Sequence, residues 1–259
     1  MSDGYAWLTA RGMTDYYVDH VFGANTDVGT SFEPVSAGGI YRTPQVADAK
    51  QLRIKAGNAA DDIAGVGARK ILLLGMKTDL TTFFEVVETA GASASALTTN
   101  SFFRLLRAEV LESGTYTDAS SFSHVGDIVI EDNGGIQWGC INSSIIARGI
   151  AQIGSATVPS SLSNGTELKE LYITGYVMTV DGNKNADMIL SHRAEATQTV
   201  APYSGFHITR EHLQVSGVQA VQLSVPIGPF MPGTDFGFLA RADTTASCSI
   251  DIEAVLVRA

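Results

Sequence analysis

Short apolar or alternating runs, each closed by Gly, Asn, Asp or Ser, recur along most of this sequence. Because alternation places successive side chains on opposite faces of an extended chain, such runs predict antiparallel strands joined by turns. The clear runs are 51–56, 70–76, 83–89, 102–111, 127–131, 136–141, 170–180, 188–192, 205–208, 218–225, 236–242 and 249–257. The rhythm predicts an all-β protein, an antiparallel β-sandwich or jelly roll, with little helix.

The chain divides into three parts by composition. Residues 1–48 lack alternation and repeat Gly, Pro, Asp and Thr, so they predict an extended N-terminal arm with loops, lying on the sandwich or on a neighbouring subunit. Residues 49–154 form a first strand-rich half and residues 155–259 a second. The Ser-, Pro- and Gly-rich loop 155–166 is the best candidate boundary. One sandwich built from both halves and two tandem sandwiches explain the rhythm equally well.

Three neighbouring runs give a specific expectation for the core. Runs 70–76, 83–89 and 102–111 alternate and follow each other closely, so they are expected in one antiparallel sandwich. If Leu73 and Phe84 are buried there, replacing either by Ala costs about 2–5 kcal/mol.

The charge balance argues against nucleic-acid binding. The formal net charge is -10, and neither end carries a basic arm, whereas phosphate neutralisation needs clustered Lys and Arg. Only 17% of residues are charged, below the roughly 25% of an ordinary soluble domain. Such a neutral surface is typical of a protein that contacts other proteins. No apolar run reaches the roughly 18 residues of a membrane span, and the start lacks the features of a signal peptide.

No arrangement of residues predicts catalysis. The histidines lack a helix-borne metal motif, and no Gly-x-Ser-x-Gly elbow occurs, so we expect neither an enzyme nor a cofactor. Gly65-Val66-Gly67-Ala68 precedes a predicted strand instead of a helix, which argues against a phosphate-binding loop. Cys140 and Cys248 are too few and too far apart for a zinc site, and their apolar neighbours predict two buried thiols.

One segment carries a weak ligand signal. Oxygen-bearing side chains recur at alternate positions in Asp181, Asn183, Asn185 and Asp187, as in a calcium loop. The match is incomplete, because Ala186 stands where such a loop needs Gly and His192 where it needs a bidentate Glu. The competing interpretation is a polar hairpin tip between two strands, made by the turn chemistry of Gly and Asn.

Large aromatic residues in the N-terminal segment are candidates for an interface. Tyr16, Tyr17, Phe22, Phe32 and Tyr41 can each bury a large apolar area, while nearby glycines let the backbone follow another surface closely. We predict that the segment reaches a neighbouring subunit, and that deleting it leaves a folded sandwich. Covering the edge of the sandwich within one chain is the alternative.

A set of motifs between residues 22 and 130 resembles a family of virion structural proteins from tailed bacteriophages, many of them marine. The carrying motifs are Phe22-Gly23-x-Asn25-x-Asp27, Glu33-Pro34, Gly38-Gly39-x-Tyr41, Asp62, Gly65-x-Gly67-Ala68-Arg69, Gly75, Thr98-Thr99-Asn100-Ser101-Phe102-x-Arg104, Arg107 and Gly114 leading to Gly126-x-Ile128. They cover under half of the chain. Val35-Ser36-Ala37 and Gly91-Ala92-Ser93 depart from the family pattern.

This resemblance implies a structural subunit of a virion, assembled in the host cytoplasm, and the acidic charge favours a capsid decoration or cement subunit. It would form a homo-oligomer, a trimer being favoured, and bind the major capsid protein or other virion proteins. A tail, collar or fibre-associated subunit is the main alternative. A jelly-roll major capsid protein and a carbohydrate-binding module are further ones, since one fold serves many functions.

Overall fold

The computed structural model describes residues 16–37, 49–115, 123–143, 149–198 and 201–259. Within these ranges the regular elements are all strands, so the protein is all-β and antiparallel, as predicted. The strands are β1 (Tyr16–Val28), β2 (Glu33–Pro34), β3 (Leu52–Ala56), β4 (Ala68–Met76), β5 (Thr82–Glu88), β6 (Arg104–Ser113), β7 (Ile128–Asp132), β8 (Gln137–Ile141), β9 (Ser155–Thr157), β10 (Leu168–Val180), β11 (Asn185–Arg193), β12 (His207–Ser216), β13 (Val218–Phe230), β14 (Asp235–Ala242) and β15 (Ala246–Arg258).

The first core lies between two three-stranded sheets, ordered β3-β7-β8 and β5-β4-β6. Alternate residues of each strand point inward, for example Ile54 and Ile130 from one sheet and Ile71 and Leu73 from the other. The predicted runs 70–76, 83–89 and 102–111 form the second of these sheets, which confirms their grouping in one sandwich.

The second core lies between the sheets β1-β15-β10-β13 and β12-β11-β14-β2, with β9 also paired to β14. Its centre contains Phe236 and Phe238 of β14 with Ile250 and Ile252 of β15. The structure therefore contains two hydrophobic clusters, and the second also includes Val21, Val28 and Val35 of the N-terminal segment. The first cluster runs from Leu52 to Ile153 along the chain.

The described part of the N-terminal segment lies at a sheet edge of its own chain, as in the alternative interpretation, and is a regular strand instead of loops. In its described part, residues 16–28 form a 13-residue strand whose partners run along β15 from Val257 to Ala246. Val21 and Val28 of this strand belong to the second core. The alternation is hidden in the sequence because Gly23 stands in the middle of the strand. A side chain there would meet the Val35 carbonyl oxygen and the Gly154 Cα at 2.2 and 2.4 Å.

The turn at residues 181–184 also differs from its prediction. It does not join neighbours in one sheet as a hairpin, because β10 and β11 belong to opposite sheets of the second sandwich. The connection from β14 to β15 crosses beside it, and the Ser247 amide donates to the Asp181 carboxylate at 3.0 Å. The turn therefore closes one end of the sandwich.

A buried ionic cluster links the two halves. Asp235 of β14 accepts hydrogen bonds from Arg193 of β11 and, at 2.5 Å, from the Thr157 hydroxyl, and its carboxylate lies 3.5 Å from the Arg104 guanidinium of β6. The side chains of Arg104, Arg193 and Asp235 are 3% exposed or less. Separating the members of this cluster would leave a buried charge without its partner, which is strongly destabilising. The cluster therefore holds β6 of the first half against β11 and β14 of the second.

Candidate functional site

The outer side of the sheet β5-β4-β6 is unusually apolar. The centre of β4 reads Ile71-Leu72-Leu73-Leu74, and its two faces divide cleanly: Ile71 and Leu73 are fully buried, while Leu72 and Leu74 point outward and are half-buried. An antiparallel sheet with one solvated face normally alternates apolar and polar residues, whereas a strand covered on both faces reads as a continuous apolar run. The central strand thus has the composition of a sheet covered on both sides.

β5 continues the apolar surface on one side of β4. Phe84 lies opposite Leu74 and Val86 opposite Leu72, and their exposed fractions are 62% and 43%. Phe84 therefore does not meet the condition of burial under which its replacement is costly, because its neighbour Phe83 takes the inward position and packs on the first core. Together the four side chains make a contiguous apolar patch in the middle of the sheet.

β6 places opposite charges on the other side of β4. Arg107 lies opposite Leu74 and Glu109 opposite Leu72, and the two side chains form an ion pair at 3.1 Å. Their side chains are 47% and 32% exposed, so this pair contributes little to stability. We call the six residues Leu72, Leu74, Phe84, Val86, Arg107 and Glu109 the outer face.

A row of three charged residues borders the outer face. Lys70 of β4 lies between Glu88 of β5 and Glu112 of β6, and its ammonium is 2.9 Å from the Glu112 carboxylate. The hydrogen bond to Glu112 raises the pKa of Lys70, and the same bond lowers the pKa of Glu112. The apolar patch is therefore edged by charges of both signs.

A cleft of about 230 Å³ adjoins the outer face on the far side of β6. Arg107 lines both, together with Leu106 and Ile150, and the opposite wall is formed by Phe22 of β1. At its rim the His20 ring lies 3.3 Å from the Asp251 carboxylate, and both side chains are about half exposed. The cleft separates the first sandwich from the outer side of β1 and β15.

The predicted interface aromatics do not form one exposed cluster. Tyr17 packs on the second core, and its hydroxyl accepts a 2.8 Å hydrogen bond from Arg258. Phe22 lines the cleft, and the Phe32 ring lies 4.7 Å from the Arg241 guanidinium. The backbone of Tyr16 pairs with Val257, but its side chain and all of Tyr41 lie outside the described residues.

The calcium-loop candidates are spread over the end of the second sandwich. Asp187 already accepts from the Gln214 amide at 2.9 Å and from Arg241 at 2.9 Å, and these bonds lower the pKa of its carboxyl. Asp181 binds the Ser247 amide and lies 3.8 Å from Lys184. Asn183 and Asn185 are exposed. In the parts of the chain that the structure describes, no three His, Cys, Asp or Glu side chains converge on a possible metal position.

Three histidines and both cysteines are buried or half-buried. The His124 ring is fully buried between the Ser123 hydroxyl, at 2.7 Å, and the Asn142 carbonyl, at 3.0 Å, and burial lowers its pKa. Burial also lowers the pKa of His192 and of His212. Cys140 and Cys248 are both buried free thiols, as predicted, and burial raises their pKa values to about 12 and about 11.

Among the described residues, no helix is long and apolar enough to cross a membrane.

Sequence reasoning missed the outer face. The available signal was the unbroken apolar runs Ile71-Leu72-Leu73-Leu74 and Phe83-Phe84. A run of this kind predicts a strand, and it also predicts that both faces of that strand carry apolar residues. Trp138 stands among apolar residues in the sequence, which favours a core position over an aromatic platform for sugar, and it packs against the first core.

Comparisons with known proteins give little similarity. No protein-family model and no curated protein matches the chain. The structure of infectious bursal disease virus Gx strain is similar at 9% identity over 94% of this chain and 71% of that chain, with a TM-score of 0.26. T=1 particles derived from infectious bursal virus match at 9% identity, over 94% and 70%, with a TM-score of 0.27. The insecticidal delta-endotoxin Cry8Ea1 from Bacillus thuringiensis matches at 7% identity, over 93% and 59%, with a TM-score of 0.21.

These TM-scores are too low for the likeness to carry an argument about fold or function. The resemblance to a tailed-bacteriophage family accordingly stays a prediction that depends on the motif residues alone.

Proposed function

We propose that the chain is a non-enzymatic structural subunit of a virus particle, and specifically a capsid decoration subunit of a tailed bacteriophage. The observation that carries the proposal is the outer face, a sheet surface whose apolar part is left open by the described segments of the chain. Exposed apolar patches of this kind mark surfaces where proteins associate. The subunit acts by covering and joining neighbouring proteins.

Three further features support this proposal. The chain has a net charge of -10, which disfavours contact with the genome and favours an outer position. Its charged fraction of 17% suits a surface that is largely covered by protein. The phage-like motifs lie partly in β4 and β6, the strands that carry the outer face, at Gly75, Arg104 and Arg107.

A tail, collar or fibre-associated subunit is the second candidate, because such a subunit also associates through exposed apolar surface. A carbohydrate-binding module is disfavoured by Trp138, whose ring is used by the first core. A major capsid protein with two upright sandwiches is compatible with two hydrophobic clusters but has no further support.

Quantitative mass spectrometry of purified particles tests the proposal. A copy number comparable with that of the major shell protein is the expected result for a decoration subunit. A copy number equal to one symmetric ring assigns the chain to the tail or collar. Its absence from purified particles contradicts a structural role altogether.

A further inference from the structure

The six residues of the outer face form a regular two-by-three block. In one row Phe84, Leu74 and Arg107 lie side by side across β5, β4 and β6, and in the next row Val86, Leu72 and Glu109 do the same. The pairing of β4 with β5 is regular along its whole length, and the irregularities between β4 and β6 fall outside this block. The positions of the six side chains are therefore set by continuous ladders.

The two rows are complementary to each other. Within a strand, residues on the same face are about 6.8 Å apart, so the rows are separated by one such step. A two-fold axis that lies midway between the rows, parallel to the sheet and perpendicular to the strands, exchanges one row with the other in a facing copy. Such an isologous contact requires that each residue meets its complement reciprocally.

The exchange gives a favourable partner to every member of the block. Leu74 faces Leu72 of the second copy, and Phe84 faces Val86 of the second copy. Arg107 faces Glu109 of the second copy, so the ion pair of each subunit becomes part of a four-charge square. Each of these contacts occurs twice around the axis.

Sheet packing geometry permits this contact. Facing sheets lie about 10 Å apart with their strands crossing at about 30°, and strands within a sheet are about 4.8 Å apart. At β5 and β6, one strand away from the centre of the block, the crossing shifts side chains by only about 2–3 Å. The apolar residues of β4 and β5 then face each other, while the charges of β6 stand at one edge, and polar edges are normal in a specific interface.

We infer that the outer face is a two-fold interface between two copies of this chain. Burying the patch removes Phe84 and Val86 from water, and the reciprocal Arg107–Glu109 contacts select the antiparallel arrangement over a parallel one. The inference deepens the proposed function by naming the surface and the partner. A two-fold contact also joins larger rings or trimers to each other, so it is compatible with further association elsewhere on the chain.

Light scattering and sedimentation of the purified full chain test the interface directly. Phe84→Glu places a charge within the apolar part of the block and is expected to raise the dimer dissociation constant by about tenfold or more. The matched control is Leu213→Glu on β12, since Leu213 is 64% exposed and Phe84 62%. The control is expected to associate as the unaltered chain does, and thermal unfolding verifies that both variants are folded.

Complementary charge variants give a sharper test. In Arg107→Glu alone, two acidic residues face two acidic residues across the axis, and in Glu109→Arg alone two basic residues face two basic ones. Each variant is therefore expected to be monomeric. An equimolar mixture places acidic opposite basic at all positions and is expected to form a heterodimer. The intrachain ion pair stays broken in both chains, so recovery can only come from contact between copies.

A second mixture controls for general charge attraction. Arg210→Glu and Glu211→Arg make the same charge changes on the exposed strand β12, and mixing them is expected to change nothing. Heterodimers in the first mixture alone support the inference. A chain that self-associates regardless of all outer-face variants overturns this interface but leaves the structural role standing. A chain that stays monomeric at high concentration also overturns it, and particle copy number then decides the proposed function separately.

Discussion

Leu73 and Phe84 show at the scale of single residues how the sheet β5-β4-β6 divides inside from outside. Leu73 is fully buried, and its replacement by Ala is expected to cost about 2–5 kcal/mol because a cavity remains in the first core. Phe84→Ala removes a side chain that is 62% exposed and is expected to change the free energy of unfolding of the monomer by less than about 0.5 kcal/mol. Urea unfolding of dilute protein measures both, and equal costs contradict the assignment of faces.

Asp61 gives a second prediction at this scale. Its buried carboxylate accepts hydrogen bonds from the backbone amides of Ala68, Val125 and Gly126 at 2.8–2.9 Å, and so ties three segments together. Asp61→Asn places an amide donor against at least one of these donors and is expected to cost about 2–3 kcal/mol. Exposed Asp243→Asn is the control, with little change expected in chemical unfolding.

At the scale of elements, β1 is the strand whose prediction changed most. Since Val21 and Val28 pack in the second core and Asn25 pairs with Cys248 of β15, deleting residues 1–48 is expected to disrupt the second sandwich. This outcome differs from the expectation, based on the sequence alone, that the deletion leaves a folded sandwich.

The two cysteines report separately on the two halves in this experiment. Buried thiols with raised pKa values react slowly, because the thiolate is the reactive form. In the deleted chain Cys248 is expected to react rapidly with a thiol reagent while Cys140, in β8 of the first sandwich, stays protected. Protection of both thiols after the deletion contradicts an integral role for β1, and exposure of both shows that the two halves unfold together.

At the scale of the whole molecule, three buried or half-buried histidines make stability depend on pH. The folded-state pKa values of His124, His192 and His212 all lie below the ordinary value of 6.5. The unfolded chain therefore binds protons first as the pH falls, and the stability present above about pH 6.5 is lost progressively below it. Thermal melting between pH 8 and pH 5 is expected to show a falling midpoint, with a shallower slope in His124→Gln. A midpoint that rises on acidification contradicts these shifts.

Much of the fold was predictable from local pattern. Each predicted run overlaps an observed strand, because alternation and turn residues act over a few neighbouring positions. Strand ends were less predictable. The run 205–208 falls at the start of β12, whereas β12 continues to Ser216. A β-strand with exposed polar side chains shows no apolar alternation, so the longer strand leaves no sign in the sequence. The strands β2 and β9 were not predicted, because each is short and is formed by pairing with β14.

The candidate site was much less predictable, and the reason lies in how surfaces form. The amino-acid sequence by itself determined the all-β class, the order of most strands and the buried thiols, since these follow from side-chain hydrophobicity and local turn chemistry. Only the tertiary structure decided which face of β4 is open, that β1 completes the second sandwich, and that Phe84, Leu74 and Arg107 form one row. Those facts depend on pairing between residues distant in the chain, and a one-residue change of register reverses which side chains are exposed.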